Sequence, residues 1–241
     1  MELTILHLYP DSMSLYGEYA NLALLRRHLE ALGVQVNVKN ITSEDIPDFA
    51  GSDFIYMGAG TERSQKSALL GLTHHTDGLR AAIAGGAVVL FTGNAMEVLG
   101  SSVTDAGGRV WQGLGLADFT SVETDRRITG DVVAQPALWQ APAVGFMNKC
   151  STTAGVSSPL FPTLSLGFGN ETEGGAEGYA AGNVFATHLT GPVLVKNPDF
   201  LDLLITRLFA AKGWELPQAL PALPHEREAY AVTLRELRAR C

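Results

Sequence analysis

The stretch Ala87-Val88-Val89-Leu90-Phe91-Thr92-Gly93-Asn94 confines this chain to few architectures. An unbroken apolar run of strand length is buried on both faces, and a parallel sheet covered by helices on both sides is what buries a strand in that way. The run turns sharply through Gly93 into a helical segment that Gly100 closes after Leu99. The same alternation recurs elsewhere. Leu3 to Leu8 reads as a buried strand, and Tyr19 to Leu32 carries apolar residues at helical spacing up to Gly33. Val34 to Val38 and Ser52 to Met57 read as strands, Ser64 to Ala84 as one long helix, and Pro198 to Leu208 as a late helix that docks back on the sheet. Strands alternating with helices imply an α/β fold with a mostly parallel sheet.

The region between these elements has a different character. Gly113 to Val122, Arg127 to Val133 and Ala143 to Asn148 are strand candidates with little helix between them, which predicts a strand-rich insertion or antiparallel extension, and Asn183 to His188 is a further β-rich run with which the main sheet finishes late. Glu123-Thr124-Asp125-Arg126-Arg127 reads as an exposed turn. Residues 1–212 form one domain in this reading, and residues 213–241 a Pro-containing connector, Leu216 to Pro224, followed by a C-terminal helix that packs or meets a partner.

Composition narrows the function classes. In 241 residues, apolar types make up 46% and charged types 17%, which argues against disorder; an α/β domain of this size buries about three quarters of its unfolded surface. The formal charge of −8 and the want of a basic run interleaved with aromatics argue against nucleic acid as a partner. Cys150 and Cys241 are too few for a disulfide framework or a metal cage, a usage that suits a cytoplasmic protein. Met1 to Leu8 reads as a strand without a basic leader, and no apolar run reaches the ~20 residues of a membrane helix. His74-His75 with Asp77 would point about 100° apart on a helix, which makes a solvated face the better reading than a metal site.

The strand, glycine turn and helix at residues 87–100 have the shape of a nucleophile elbow, which lifts one side chain above the carboxyl end of a sheet beside free backbone amides. Ordinary strand-to-helix connections share that shape. The surrounding residues are more specific. Leu8-Tyr9-Pro10-Asp11-Ser12-Met13, Leu15-Tyr16-Gly17-Glu18 with Asn21, Gly58-Ala59-Gly60-Thr61-Glu62-Arg63-Ser64-Gln65, Leu99-Gly100, Val144-Gly145-Phe146-Met147-Asn148, Gly182 to Pro192 and Lys196-Asn197-Pro198 follow in order. Together they resemble the class I glutamine amidotransferases of the CobB/CobQ type, most closely the GatD-like glutaminase subunits of lipid II isoglutaminyl synthases, over nearly the whole chain.

The resemblance implies a flavodoxin-like sheet and a cysteine on the elbow, activated by a histidine, that takes the glutamine carboxamide to a thioester and releases ammonia. Counting back from Leu99-Gly100, the family's cysteine falls on Gly93; counting back from Gly191-Pro192, its histidine falls on Thr190. Glycine carries no nucleophile, and threonine carries no group that titrates near neutral pH. The substitute candidates are Thr92 and Asn94 beside the elbow, His188 and Cys150. On a strand, His188 would share a face with Thr190 but lie displaced by roughly 7 Å, beyond the reach of a general base, which makes a pocket-lining or core histidine the better reading. Lys149 would lower the pKa of Cys150 somewhat.

The resemblance also assigns substrate binding to Gly58, Ala59, Gly60, Arg63 and Gln65, where the family tends to carry a third glycine in place of Ala59. Such a loop could still receive glutamine or another small amide or carboxylate after hydrolysis has gone. The implied partner is a Mur-ligase-like synthetase of the MurT type acting on a peptidoglycan precursor, with no cofactor and no metal. The leading expectation is a non-hydrolysing, pseudoenzyme subunit of a heterodimer. The rivals are an active glutaminase with a displaced nucleophile or base, and a non-catalytic small-molecule sensor.

Overall fold

The computed structural model describes residues 1–221, 223 and 225–240. Cys241 and two residues of the connector, Ala222 and Pro224, lie outside the described residues.

The chain opens with β1 (Glu2–Leu8), α1 (Tyr19–Ala31), β2 (Gln35–Ile41), β3 (Phe54–Met57), α2 (Glu62–Thr73), α3 (Thr76–Ala84) and β4 (Val88–Thr92), and a 3₁₀ turn spans Gly93–Leu99. A strand-rich region follows: β5 (Ser102–Thr104), β6 (Val110–Gln112), β7 (Thr120–Gln135), β8 (Ala143–Ala154), β9 (Thr163–Leu166), β10 (Tyr179–Ala181), β11 (Val184–Thr187) and β12 (Leu189–Thr190). Three helices complete it: α4 (Val193–Lys196), α5 (Pro198–Ala211) and α6 (Glu226–Arg238).

The first sheet has the order β10-β11-β4-β3-β1-β2 and is parallel except for β10 at its edge. The expected alternation explains it. Leu3, Ile5, Phe54, Tyr56, Val88 and Leu90 feed the core under α1 and α5, while their neighbours Leu6, Leu8, Ile55, Met57, Val89 and Phe91 feed the core under α2 and α3. Read from β2, the strand order is the flavodoxin-like one, in which ligands bind outside the carboxyl ends of the strands.

The antiparallel extension takes the form of a second sheet, β12-β8-β7-β5-β6, with β9 also on β7, antiparallel except where β5 runs parallel to β7. All of it except β12 lies in the connection between β4 and β11, and the chain passes from one sheet to the other at His188. Gly113 to Val122 is strand only from Thr120 onward. The charged run 123–127 is not an exposed turn but part of β7, where the register with β8 shifts between Glu123 and Ile128. That irregularity leaves extra residues unpaired, and through it Glu123 turns to Lys66 and Arg127 to Glu62.

The long helix expected over 64–84 is two helices that meet at His74-His75, where the His75 N–H bonds back to the Leu72 carbonyl and His75 leaves helical geometry (φ −118°). No group of three or more His, Cys, Asp or Glu among the described residues is arranged to hold a metal ion. No helix among them is long and apolar enough to cross a membrane. The C-terminal α6 lies on the second sheet: Leu237 packs with Val133 and Val144, and the Tyr230 hydroxyl donates to the Pro142 carbonyl at 2.7 Å.

Asn197, buried between α4 and α5, ties these helices to the second sheet. Its Oδ1 accepts from the Val144 N–H, and its Nδ2 donates to the carbonyls of Val144 and Val193, each at 2.8 Å. Asn197→Ala strands three buried backbone groups and lowers the unfolding free energy by about 3 kcal/mol. Urea denaturation checks this, and a loss below about 1 kcal/mol would show that the two layers are held together elsewhere.

Candidate functional site

The loops after β1, β3 and β4 and the start of β12 converge at the carboxyl ends of the first sheet. The turn after β4 is their centre. Gly93 has φ +61°, a left-handed conformation that costs a residue with a Cβ about 1 to 2 kcal/mol. A Cβ built there would lie 2.5 Å from the Ala59 Cβ and 3.1 Å from the Thr190 Cγ2. The space into which a side chain at 93 would project is therefore filled, from β3's loop by Ala59 and from β12 by Thr190. The Thr190 hydroxyl itself turns away and donates to the Phe146 carbonyl at 3.2 Å.

A buried carboxylate fixes this convergence. Glu18, fully out of solvent, accepts from the hydroxyls of Thr92 and Tyr56, the latter at 2.8 Å, and from the Gly191 N–H at 2.9 Å. Asn21 completes the set, donating to the Tyr56 hydroxyl and accepting from the Leu194 N–H, both at 2.8 Å. Burial raises the pKa of Glu18, against the bonds from Thr92, Tyr56 and Gly191 that favour its ionised form.

Asn94, the first residue past the turn, closes onto the β3 loop. Its Oδ1 accepts the Gly60 N–H and its Nδ2 donates to the Gly60 carbonyl, both at 3.0 Å. Gln65 on α2 supports it, donating to the Asn94 carbonyl at 2.6 Å and to Glu97 at 2.7 Å. Glu97, on the 3₁₀ turn, also accepts from the Ser151 hydroxyl at 2.5 Å and faces the His188 Nε2 at 3.6 Å. Burial alone would raise the Glu97 pKa, but His188, Ser151 and Gln65 outweigh it and hold the group below its ordinary value. The other ring nitrogen of His188 lies 3.2 Å from Glu177, which also accepts from the His188 backbone N–H at 2.7 Å.

Outside Asn94 and Gly60 opens a cavity of about 320 Å³. Its rim is a chain of hydrogen bonds. The Asn148 Nδ2 donates to the Tyr16 hydroxyl at 2.9 Å, Arg127 donates to Asn148 at 2.9 Å and to Glu62 at 2.7 Å, and the Cys150 thiol donates to Glu62 at 3.0 Å. Burial opposes ionisation of Glu62, yet the bonds from Cys150, its own N–H and Arg127 prevail and bring its pKa to about 2. Burial, then Glu62, pushes the Cys150 thiol up to about 11.

The structure thus brings Ala59, Gly60, Gln65 and Asn94 to one cavity wall, with Gly93 and Thr190 packed behind Ala59. Two residues assigned to substrate binding fall elsewhere. Arg63 is exposed on the outer side of α2, because one residue beyond Glu62 a helix has turned about 100°. Gly58 is buried and lets the backbone pass close to Met13 and Glu18, 2.7 and 2.9 Å from a built Cβ. His188 does not share a strand face with Thr190, since β11 ends at Thr187 and β12 begins at Leu189 in the other sheet. Lys149 does not lower the Cys150 pKa: neighbours on a strand point apart, and its amine is held by the carbonyls of Gly169 and Asn170 at 2.8 and 3.1 Å. Sequence reasoning did not single out Glu62, Arg127 and Ser151 for the site. Ser151 carries a weak signal as a polar residue on the buried face of β8, while Glu62, at the start of α2, and Arg127, inside a charged run, carry none.

Comparison with known proteins adds a family context. A model of the CobB/CobQ-like glutamine amidotransferase domain matches residues 4–198. The chain is 31% identical over 215 residues to the lipid II isoglutaminyl synthase (glutamine-hydrolyzing) subunit GatD of Staphylococcus aureus (strain N315), covering 88% of this chain and 86% of that one. It is 28% identical over 214 residues to the GatD subunit of Streptococcus pneumoniae (strain ATCC BAA-255 / R6), covering 88% and 82%. A crystal structure of a glutamine amidotransferase shares the fold, with a TM-score of 0.54 at 12% identity over 84% of this chain and 98% of that one.

Two outcomes follow from the geometry. Gly93→Cys destabilises the protein by roughly 3 kcal/mol, from backbone strain and overlap with Ala59, and Ala59→Gly in the same chain recovers about 1 kcal/mol or more of that loss. Urea unfolding of the four chains measures the coupling; an equal cost with and without Ala59 would mean that a side chain at 93 points elsewhere. Alkylation of Cys150 by iodoacetamide, followed peptide by peptide in a mass spectrometer, is slow at pH 8 and rises toward a midpoint near 11. Glu62→Gln moves that midpoint down, because the charge opposing the thiolate is gone. A wild-type midpoint at or below the ordinary thiol value of about 8.5 would contradict the assignment.

Proposed function

Because the chain belongs to the CobB/CobQ-like glutamine amidotransferase family, we propose that it is a GatD-type subunit that does not hydrolyse glutamine and instead pairs, in the cytoplasm, with a Mur-ligase-like synthetase of the MurT type that amidates a peptidoglycan precursor. The observation that carries this reading is the turn at Gly93. It keeps the left-handed backbone of an elbow but presents no nucleophile, and Ala59 and Thr190 occupy the volume a thiol would need.

The rival reading, an active glutaminase with substitute groups, has little support from the geometry. A general base must lie within hydrogen-bond reach of the proton it takes. Both ring nitrogens of His188 already face buried carboxylates, and the Cys150 thiol is bound to Glu62 with its pKa near 11. The sensor reading would use the 320 Å³ cavity, but Arg127, the cation at its rim, is already held by Glu62 and Asn148.

The test is ammonia release from L-glutamine by the purified chain, alone and co-expressed with the Mur-ligase-like synthetase of the same genome. The expected result is a stable complex of the two chains, with no release above an unrelated-protein control and amidation that runs on added ammonium instead of glutamine. Glutamine-dependent release above the control overturns the non-hydrolysing assignment. Failure of the chains to co-purify overturns the partner assignment.

A further inference from the structure

We propose that Asn94 is a built-in occupant of a carboxamide-binding site: its own primary amide takes up the Gly60 peptide group that would otherwise hold the amide of a ligand such as glutamine. This rests on the reading of residues 58–60 as the amidotransferase loop and deepens it, since it gives the site a second closure that is independent of the missing nucleophile.

The argument is one of complementary atoms. A primary carboxamide offers one acceptor and two donors, and a peptide group offers one donor and one acceptor. Asn94 and Gly60 satisfy each other in both directions at 3.0 Å. A glutamine amide entering the cavity would thus find the loop N–H taken, and would have to break two hydrogen bonds to make two. Gln65 locks the arrangement from behind by bonding the Asn94 carbonyl. The protein uses the same pairing twice as an interior clamp, Asn197 on Val144 and Asn170 on Gly178, but in both of those places the asparagine is buried. Asn94 and Gly60 differ in lining the 320 Å³ cavity and being only partly buried, so removing the asparagine side chain exposes the Gly60 peptide to a space large enough for a small molecule.

The experiment compares wild type with Asn94→Ala by amide NMR, titrating L-glutamine and following the Gly60 N–H. In the variant, Gly60 exchanges with solvent at least about tenfold faster, and L-glutamine produces a saturable shift with a dissociation constant at least about tenfold below any seen for wild type. Asn94→Ser, whose side chain is too short to reach both Gly60 groups, behaves the same way and serves if the alanine variant does not fold. Asn94→Asp can still accept from the Gly60 N–H but has no donor for the Gly60 carbonyl, so it leaves that amide more protected than in the alanine variant and binds glutamine more weakly than that variant does.

Saturable glutamine binding by wild type equal to that of Asn94→Ala overturns the proposal. So does a folded opening variant whose Gly60 amide is exposed yet binds no glutamine. Neither result depends on ammonia release, which decides the non-hydrolysing reading separately.

Discussion

Glu18 reaches from the start of α1 into a space closed to solvent, and segments from three other parts of the chain turn toward it: Thr92 at the end of β4, Tyr56 on β3 and Gly191 after β12. A buried carboxylate is costly unless its oxygens are bonded, and here that cost enforces the geometry. Moving any of the three segments would strand part of a carboxylate with no water to replace the lost partner. The turn at Gly93, the Gly58–Gly60 loop and the entry to α4 are held in mutual register for this reason. Chemistry at the elbow and architecture of the elbow are therefore separable: the network sits behind the turn and does not involve position 93.

That separation means the shape of the turn does not depend on which side chain stands at position 93. At Gly93 the backbone stays left-handed. Ala59 and Thr190 fill the volume beside it, and Asn94 satisfies both polar groups of the Gly60 peptide. Behind them Glu97, His188 and Glu177 form a buried polar set in which each side chain has partners at hydrogen-bond or ion-pair distance. Side chains in such a set are hard to change one at a time, because removing a single partner leaves another buried polar group unsatisfied.

The first sheet was legible because burial on both faces leaves a strong trace: unbroken apolar runs such as 87–91 admit few other arrangements. The elbow was legible for the same reason, with the glycine marking its turn. The second sheet was harder to read. β7 carries five consecutive polar or charged residues, Glu123 to Arg127, inside a strand, and only the register shift against β8 reconciles them with pairing. The break between α2 and α3 falls on two histidines, with no glycine or proline to announce it. Residue assignments in the site failed where local geometry decides direction, at Arg63 on a helix and at Lys149 and Cys150 on a strand, since a resemblance places residues in order but does not say which way a side chain points. His188 failed differently, because periodicity of two holds only while one strand continues.

The passage of the chain between sheets at His188 also bears on how the protein folds. β11 pairs with β4, Val184 beside Val89, only after the whole connection that forms most of the second sheet has been drawn in. Closing so long a loop carries an entropy cost that no local contact offsets, and such non-local pairings slow folding more than they weaken the final state. Thr190 and Gly191 lie just beyond β11, so the wall around Gly93 and one partner of Glu18 depend on that long-range pairing. Without that pairing Glu18 lacks its Gly191 partner and β4 has an open edge. The site is thus an outcome of contacts that span the chain, and no local segment can form it alone.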